Sequence, residues 1–354
     1  MRGSWPARAR RIVARRRWFA LAILALPLLV AAPPARTQPI GQPAITVKPA
    51  GEQSDRRHGV ALIVPFAAGG PTDALARTLA PPLARGLGEP VIVQNIAGAG
   101  GTRGALAAVQ AGNDGRTLLL HHVGMATAPA LYRNLPYDPQ RDFTPVGRVV
   151  DVPMTLIVRR DFPGRTFGET TVLLRQPRAA WLVAYAGLGA ASHLCGLLLS
   201  EALGVDLIQI PYQGTGPAIK DLIAGRVDLM CDQTTNTVDA IAAGQVRALA
   251  VTSDRPLVDL PQVPTATDLG MEGLRLSIWH GLFVPGRAPA PVVERLSRAL
   301  GSAQRDPEFA RTVERVHGFL PAADDATPQA LARLLAGETR RWGALIRRSG
   351  QYAD

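Results

Sequence analysis

Short apolar, often β-branched runs alternate with stretches of helical period along most of the chain, and glycine-rich loops stand between them. Residues 58–64 (HGVALIV) read as a strand and 65–70 (PFAAGG) as a loop; 71–83 carry apolar residues at helical spacing behind a proline suited to a first turn. The order recurs in strand 91–94, loop 98–101 (GAGG), helix 102–110 and strand 117–120, and again in strand 181–185, loop 186–191 (AGLGAA) and helix 192–203. Strand 207–210, helix 217–224, strand 227–230, helix 238–243 and strand 246–252 follow. This alternation predicts an α/β fold of parallel sheets flanked by helices on both faces. Residues 134–180 are richer in proline and hold one isolated strand, 154–158 (MTLIV); a second, 276–284, leads into helices at 290–304, 306–316 and 328–348. Two lobes joined by two crossing strands account for this order, with 58–153 plus 278–354 as lobe 1 and 154–277 as lobe 2.

Ahead of the first strand the pattern changes. Residues 18–32 (WFALAILALPLLVAA) are apolar, and seven arginines precede them with no acid among residues 1–35. The run is too short to cross a bilayer and has the length of a signal-peptide core. Residues 1–35 are therefore expected to be a signal peptide, cut after Ala32 or Ala35, and the protein to be periplasmic; a retained membrane anchor is the alternative. Arg16-Arg17-Trp18-Phe19 fits a twin-arginine signal and an ordinary basic leader about equally, which leaves the export route open. Residues 36–57, rich in Pro, Gly, Gln and Ser, read as a flexible tether.

Composition narrows the class. Of 354 residues 47% are hydrophobic and 19% charged, which excludes disorder for most of the length, and the chain exceeds what one core usually supports. A net charge of +11 would point to nucleic acid if it were spread along the chain. Without the seven leader arginines, however, 32 basic residues face 28 acidic ones, so no nucleic-acid partner is expected. Only Lys48 and Lys220 are lysines; the arginine excess reads as codon bias and carries no functional weight.

Enzyme motifs are absent from the sequence. Residues 98–104 (GAGGTRG) approach a dinucleotide fingerprint, but the third glycine falls one place late, which favours a tight turn before a helix; no Gly-Lys-Ser/Thr exists for a phosphate loop. The six histidines include no pair four residues apart, so no metal or other cofactor is expected. Ser192-His193 are adjacent, which points their side chains apart, and no nucleophile elbow is present; a helix-capping serine and a packed histidine explain the pair as well as a place in a cleft does. What recurs is a glycine loop opening a helix at the end of a parallel strand, where open α/β sheets bind ligands and where free amides suit an anion. Thr72 and Asp73 follow the first loop, Ser192 the second, and 232–237 (DQTTNT) ends a strand either as a polar switch point or as a solvated capping loop.

On these residues the chain resembles the Bug-type extracytoplasmic solute receptors, the substrate-binding components of tripartite tricarboxylate transporters. The resemblance runs from about residue 58 to the end through PFAAGGPTD (65–73), GAGGTRGA (98–105), LYRNLPYDPQRDFTPV (131–146), SHLCG (192–196), PYQGTGPAIKDLIAGRVDLMCD (211–232), GQVRALAVTS (244–253), LPQVPTATDLG (260–270), WHGLFVP (279–285) and the final RRSGQYAD. It implies a two-lobed periplasmic-binding-protein ("Venus flytrap") fold with parallel-rich sheets. It also implies a monomer that binds a small organic acid, holds the carboxylate largely through backbone amides and waters, and delivers it to a membrane permease. Carried over by position, lobe 1 would contribute Phe66, Ala67, Gly69, Gly70, Thr72 and Asp73, with His122 to Gly124 nearby. Lobe 2 would add Gly187, Gly189, Ala190, Ser192 and His193, then Asp232, Thr234 and Thr235. Asp73 is expected to select the ligand's distal group. Two departures stand out: the 186–191 loop is about two residues shorter than is common in the family, and Ile96 replaces the usual basic residue after Asn95.

Cys195 and Cys231 are the only cysteines, and in an oxidising compartment a disulfide between them is expected, with two buried thiols as the alternative. Two further readings of function remain beside the receptor: an exported hydrolase or isomerase using Asp73, His122 or Asp232 as acid or base, and an exported sensor lobe for a signalling partner.

Overall fold

The computed structural model describes residues 59–176, 180–212, 214–350 and 352–353. The expected signal peptide, the tether and His58 lie outside the described residues. β1 (Val60–Val64), α1 (Pro71–Leu87), β2 (Val91–Asn95), α2 (Thr102–Val109) and β3 (Thr117–His122) follow the order read from the sequence. β1 runs parallel between β2 and β3. Its alternate side chains face opposite layers: Val60, Leu62 and Val64 pack with Leu75, Leu79 and Leu83 of α1, while Ile63 packs with Ala105 and Ala108 of α2. A strand covered on both faces has to be apolar throughout, which is why it shows as a run.

Three features of the next stretch were not readable from periodicity. α3 (Gly124–Leu131) contains Pro129 and is buried almost all round, so it has no polar face to mark a helix. α4 (Phe167–Leu174) is rich in β-branched residues and resembles a strand. Thr166 sets its start by accepting from the Glu169 amide at 3.1 Å, while the Glu169 carboxylate accepts from the Arg165 amide at 2.7 Å, a variant of the capping box. Between them β4 spans Phe143–Arg159, far longer than the isolated 154–158 strand expected, because the part ahead of residue 154 contains Pro145, Gly147 and Pro153. Register shifts next to Pro145 and Gly147 accommodate the break in pattern.

The second half of the chain supplies β5 (Leu182–Tyr185), α5 (Ala191–Leu203), β6 (Ile208–Pro211), α6 (Thr215–Ile223), β7 (Leu229–Gln233), α7 (Thr234–Ala242) and β8 (Val246–Val251). β9 (Ser277–Pro285) and the helices α8 (Ala290–Gln304), α9 (Pro307–Arg315) and α10 (Pro328–Ser349) close it. The strand order is β2-β1-β3-β9-β4-β7-β5-β6, with β8 on the other edge of β4. Residues 143–153 of β4 pair with β9, and residues 154–159 pair with β7 and β8, so one strand serves both sheets. The wings are parallel as expected, but β3–β9, β4–β9, β4–β7 and β4–β8 are antiparallel. Strands that cross from one lobe to the other and return have to run in opposite senses, and this mixes the sheets.

Thr252 fastens the crossing point. Its amide donates to Met154 O at 2.8 Å, its Oγ1 accepts from the Met154 amide at 3.0 Å, and its hydroxyl reaches Leu276 O, all fully buried. Within the other sheet, Cys195 of α5 and Cys231 of β7 are disulfide-bonded with a Cα separation of 5.9 Å across 36 residues of sequence. The bond ties the helix that follows the 186–191 loop to the strand that presents Asp232. The paired replacement Cys195→Ala/Cys231→Ala should lower unfolding stability by about 2 to 4 kcal/mol, the usual effect of removing a crosslink over such a loop. Urea unfolding of both proteins checks this; equal midpoints and slopes would contradict it.

Candidate functional site

Loops leaving the carboxyl ends of β1, β5 and β6, together with the ends of β3 and β7, line a cleft of about 1070 Å3. Phe66, Ala67, Gly69, Gly70 and Thr72 are on one wall with His122, and Gly187, Gly189, Ala190, Ser192 and Asp232 are on the other. The helices that open on it, α1, α5, α6 and α7, start at Gly70, Ala190, Gly214 and Gln233 without a side-chain cap. By contrast Thr166, Asp306 and Thr327 cap α4, α9 and α10. First-turn amides left without an internal partner are donors for whatever fills the space.

Five of the expected residues stand elsewhere. Asp73 is 3% exposed and is not on the cleft wall. Its carboxylate accepts from the Gly69 amide at 2.8 Å, Arg77 Nε at 3.0 Å and Asn95 Nδ2 at 2.9 Å, and Asn95 Nδ2 also donates to Phe66 O at 3.1 Å. Burial pushes this carboxyl up, but the hydrogen bonds from Arg77, Gly69 and Asn95 outweigh it and hold the group below its ordinary range. Asp73 thus anchors the loop from behind, with both of its carboxylate oxygens hydrogen-bonded. Gly124 begins α3 and donates its amide to His122 Nδ1 at 2.9 Å; its hydrogen in place of a side chain leaves room for the His121 ring, 2.8 Å from where a Cβ would stand. His193 is fully buried behind the 186–191 loop, with its ring 5.1 Å from that of Tyr185 and its Nδ1 accepting from the Gly189 amide at 3.3 Å. Thr234 donates to Val316 O at 2.6 Å, joining α7 to the end of α9, and Thr235 lies on a separate cavity of about 150 Å3 beside the first.

On the first wall the Phe66 ring stacks on His122, centroids 4.5 Å apart, and stands edge-on to His121 at 5.4 Å. His121 and His122 are buried with His280, and burial, helped by their mutual repulsion, lowers His121 to about 3 and holds His122 well below the imidazole range. His280, through burial, lies at about 4. His122 is therefore neutral, and because its Nδ1 accepts from Gly124, Nε2 carries the ring proton. On the opposite wall Ser192 Oγ accepts from the Ala186 amide at 2.9 Å and closes the short loop onto its helix. Gly189 is in the left-handed region (φ 77°), and a Cβ there would approach Leu131 to 2.8 Å, so the 186–191 loop packs against α3.

Asp232 accepts from Thr215 Oγ1 at 2.6 Å, the Gln233 amide at 2.7 Å and Asn236 Nδ2 at 3.4 Å. Its burial outweighs these bonds and raises the carboxyl to about 6. No hydrogen bond joins Asp73, His122 and Asp232 to one another among the described residues. Sequence reasoning missed Tyr132, Tyr185, Tyr212, Thr215, Lys220 and Asn236 on the wall. Tyr185 ends β5 and Tyr212 follows β6, so the rule that ligands sit at strand carboxyl ends could have found them.

Fold and cleft together define a two-lobed solute-binding protein. The chain belongs to the tripartite tricarboxylate transporter family receptors, whose model matches residues 75–351. It is 44% identical over 295 residues to a protein of the TAR-I ttuE-ttuC' intergenic region of Agrobacterium vitis, covering 82% of this chain and 84% of that one. Among solved structures it resembles the periplasmic binding protein BugD (TM-score 0.75, 44% identity, 83% of this chain and 98% of that chain). It likewise resembles MatC from Rhodopseudomonas palustris with bound malate (0.74, 36%, 81% and 98%). An R. palustris protein with adipate also aligns (0.75, 28%, 82% and 97%).

Two measurements follow from the geometry. Asp73→Ala should cost about 1 to 3 kcal/mol of unfolding stability, because it removes the buried carboxylate that accepts from the Gly69 amide, Arg77 and Asn95; an unchanged urea midpoint would contradict the anchoring role. In the folded protein Asp232 titrates above the ordinary carboxyl value of 3.8, so between pH 3.8 and about 6 the folded protein holds the extra proton. Stability from this group is present at the acid end of that window and is lost as pH rises through about 6. Relative to Asp232→Asn, the parent should therefore gain in thermal midpoint as pH is lowered from 7 to 5; parallel curves for the two proteins would contradict this.

Proposed function

We propose that this protein is a periplasmic receptor that closes its two lobes on a small organic acid and hands the acid to the permease of a tripartite carrier. The observation that carries the reading is the first loop, in which Gly69 and Gly70 bring uncapped amides of α1 to the cleft while Asp73 and Asn95 fasten it from behind. Relatives of the same fold hold malate and adipate, and the family is one of transporter receptors. No described helix is long and apolar enough to cross a membrane.

In this reading one carboxylate of the ligand accepts from the amides at the start of α1, with Phe66 and neutral His122 as its floor. The 186–191 loop and the α6 start close from the other side. The lobes, 58–153 plus 278–354 and 154–277, turn about the crossing of β4 and β9, where Thr252 keeps both strands in register. Thr234, reaching Val316 O, is a contact that closure makes between α7 and α9.

A thermal-shift screen of mono- and dicarboxylates, aromatic acids included, tests this. An acid present at 100 times its Kd should add about 2.7 kcal/mol to stability, and no product should accumulate. Gly70→Val should remove the shift. Gly70 has extended backbone (φ −84°, ψ 171°) and a Cβ there meets only Ala67 O, at 3.3 Å, so the variant should fold while its methyl groups block the approach to the amides. A folded Gly70→Val protein that binds like its parent would place the ligand elsewhere.

A further inference from the structure

We propose that Lys220 pairs with a second anionic group of the ligand and selects diacids over monoacids; this rests on the receptor reading above. Lys220 is the one Lys or Arg among the described residues lining the cleft, and Asp232 is the one Asp or Glu. The wall formed by residues 65–72 carries no charged side chain, so an anionic end bound there meets amides only. Any full positive charge for the other end has to come from α6.

The acids near Lys220 are already engaged. Asp221 binds Arg226 at 2.6 Å and the Tyr212 hydroxyl at 2.9 Å, and Asp232 takes the Thr215 hydroxyl, the Gln233 amide and Asn236. Lys220 makes no ion pair among the described residues, and its side chain is exposed. Its direction is set by the helix. Thr215, Gly216, Ile219 and Lys220 present one face of α6 to the cleft, and helical side chains lean toward the amino end, so Lys220 lies over Gly216. That space is open, since a Cβ added at Gly216 would meet nothing within 4 Å. The bond from Thr215 to Asp232 pins the start of α6 to the floor, so the ammonium is carried by a fixed element.

Calorimetric titration of the protein with adipate against hexanoate, and malate against 2-hydroxybutyrate, tests the assignment in the parent, Lys220→Gln and Lys220→Arg. Lys220→Gln should weaken the diacids about tenfold and the monoacids less than about twofold, as loss of one charge-assisted contact predicts. Lys220→Arg should keep the diacid preference, and the preference should shrink as salt is raised. A parent that binds diacids while Lys220→Gln weakens neither acid, or both equally, overturns the role of Lys220 and leaves the receptor reading standing. A parent that binds no acid at all overturns both.

Discussion

A single buried carboxylate sets the shape of the first cleft wall. Asp73 receives bonds from its own loop (Gly69), its own helix (Arg77) and the neighbouring strand (Asn95), and so fixes where the amides of α1 point. A loop of glycines and alanines cannot hold itself, because it has few side chains to pack and too much backbone freedom. Burying a charge to do the holding is costly unless each oxygen is paired, and here each one is. The cleft wall in front of them, residues 65–72, presents backbone and uncharged side chains.

The second wall uses different means for the same end. Ser192 closes the 186–191 loop, the Cys195–Cys231 bond joins α5 to β7, and Thr215 joins α6 to Asp232. All three act within one sheet and its helices. Thr252 ties Met154 to Leu276 where the crossing strands pass. Charge is sparse between the walls: the buried histidines are neutral and Asp232 is hydrogen-bonded within its own wall. Lys220 is the one Lys or Arg among the described residues that line the cleft.

Strand, loop and helix order was legible because buried parallel strands are apolar runs and their helices are amphipathic. α3 and α4 were not, the first for want of a polar face and the second for its β-branched composition, although Thr166 and Glu169 marked its start. The length of β4 was hidden by Pro145 and Pro153. At the site, the motifs led to the cleft loops, since Phe66, Gly69, Gly187 and Ser192 all line it. They did not separate residues that face the cleft from those that brace it. Asp73, His193 and Thr234 sit one place from lining residues, and only the turn of a helix start decides which way each side chain goes. Lys220 was set aside as one of two lysines in an arginine-rich chain, because sequence spacing alone does not place a mid-helix residue on a cleft.

The central claim is that an acid is held by backbone amides at the start of α1. A crystal structure of the protein with the carboxylate that raises its unfolding midpoint most tests this directly. The account predicts a carboxylate oxygen within about 3.2 Å of amide nitrogens of the 66–73 segment, with the rest of the molecule lying toward α6. An acid bound outside the cleft, or one in the cleft with its carboxylate turned away from that segment, would contradict it.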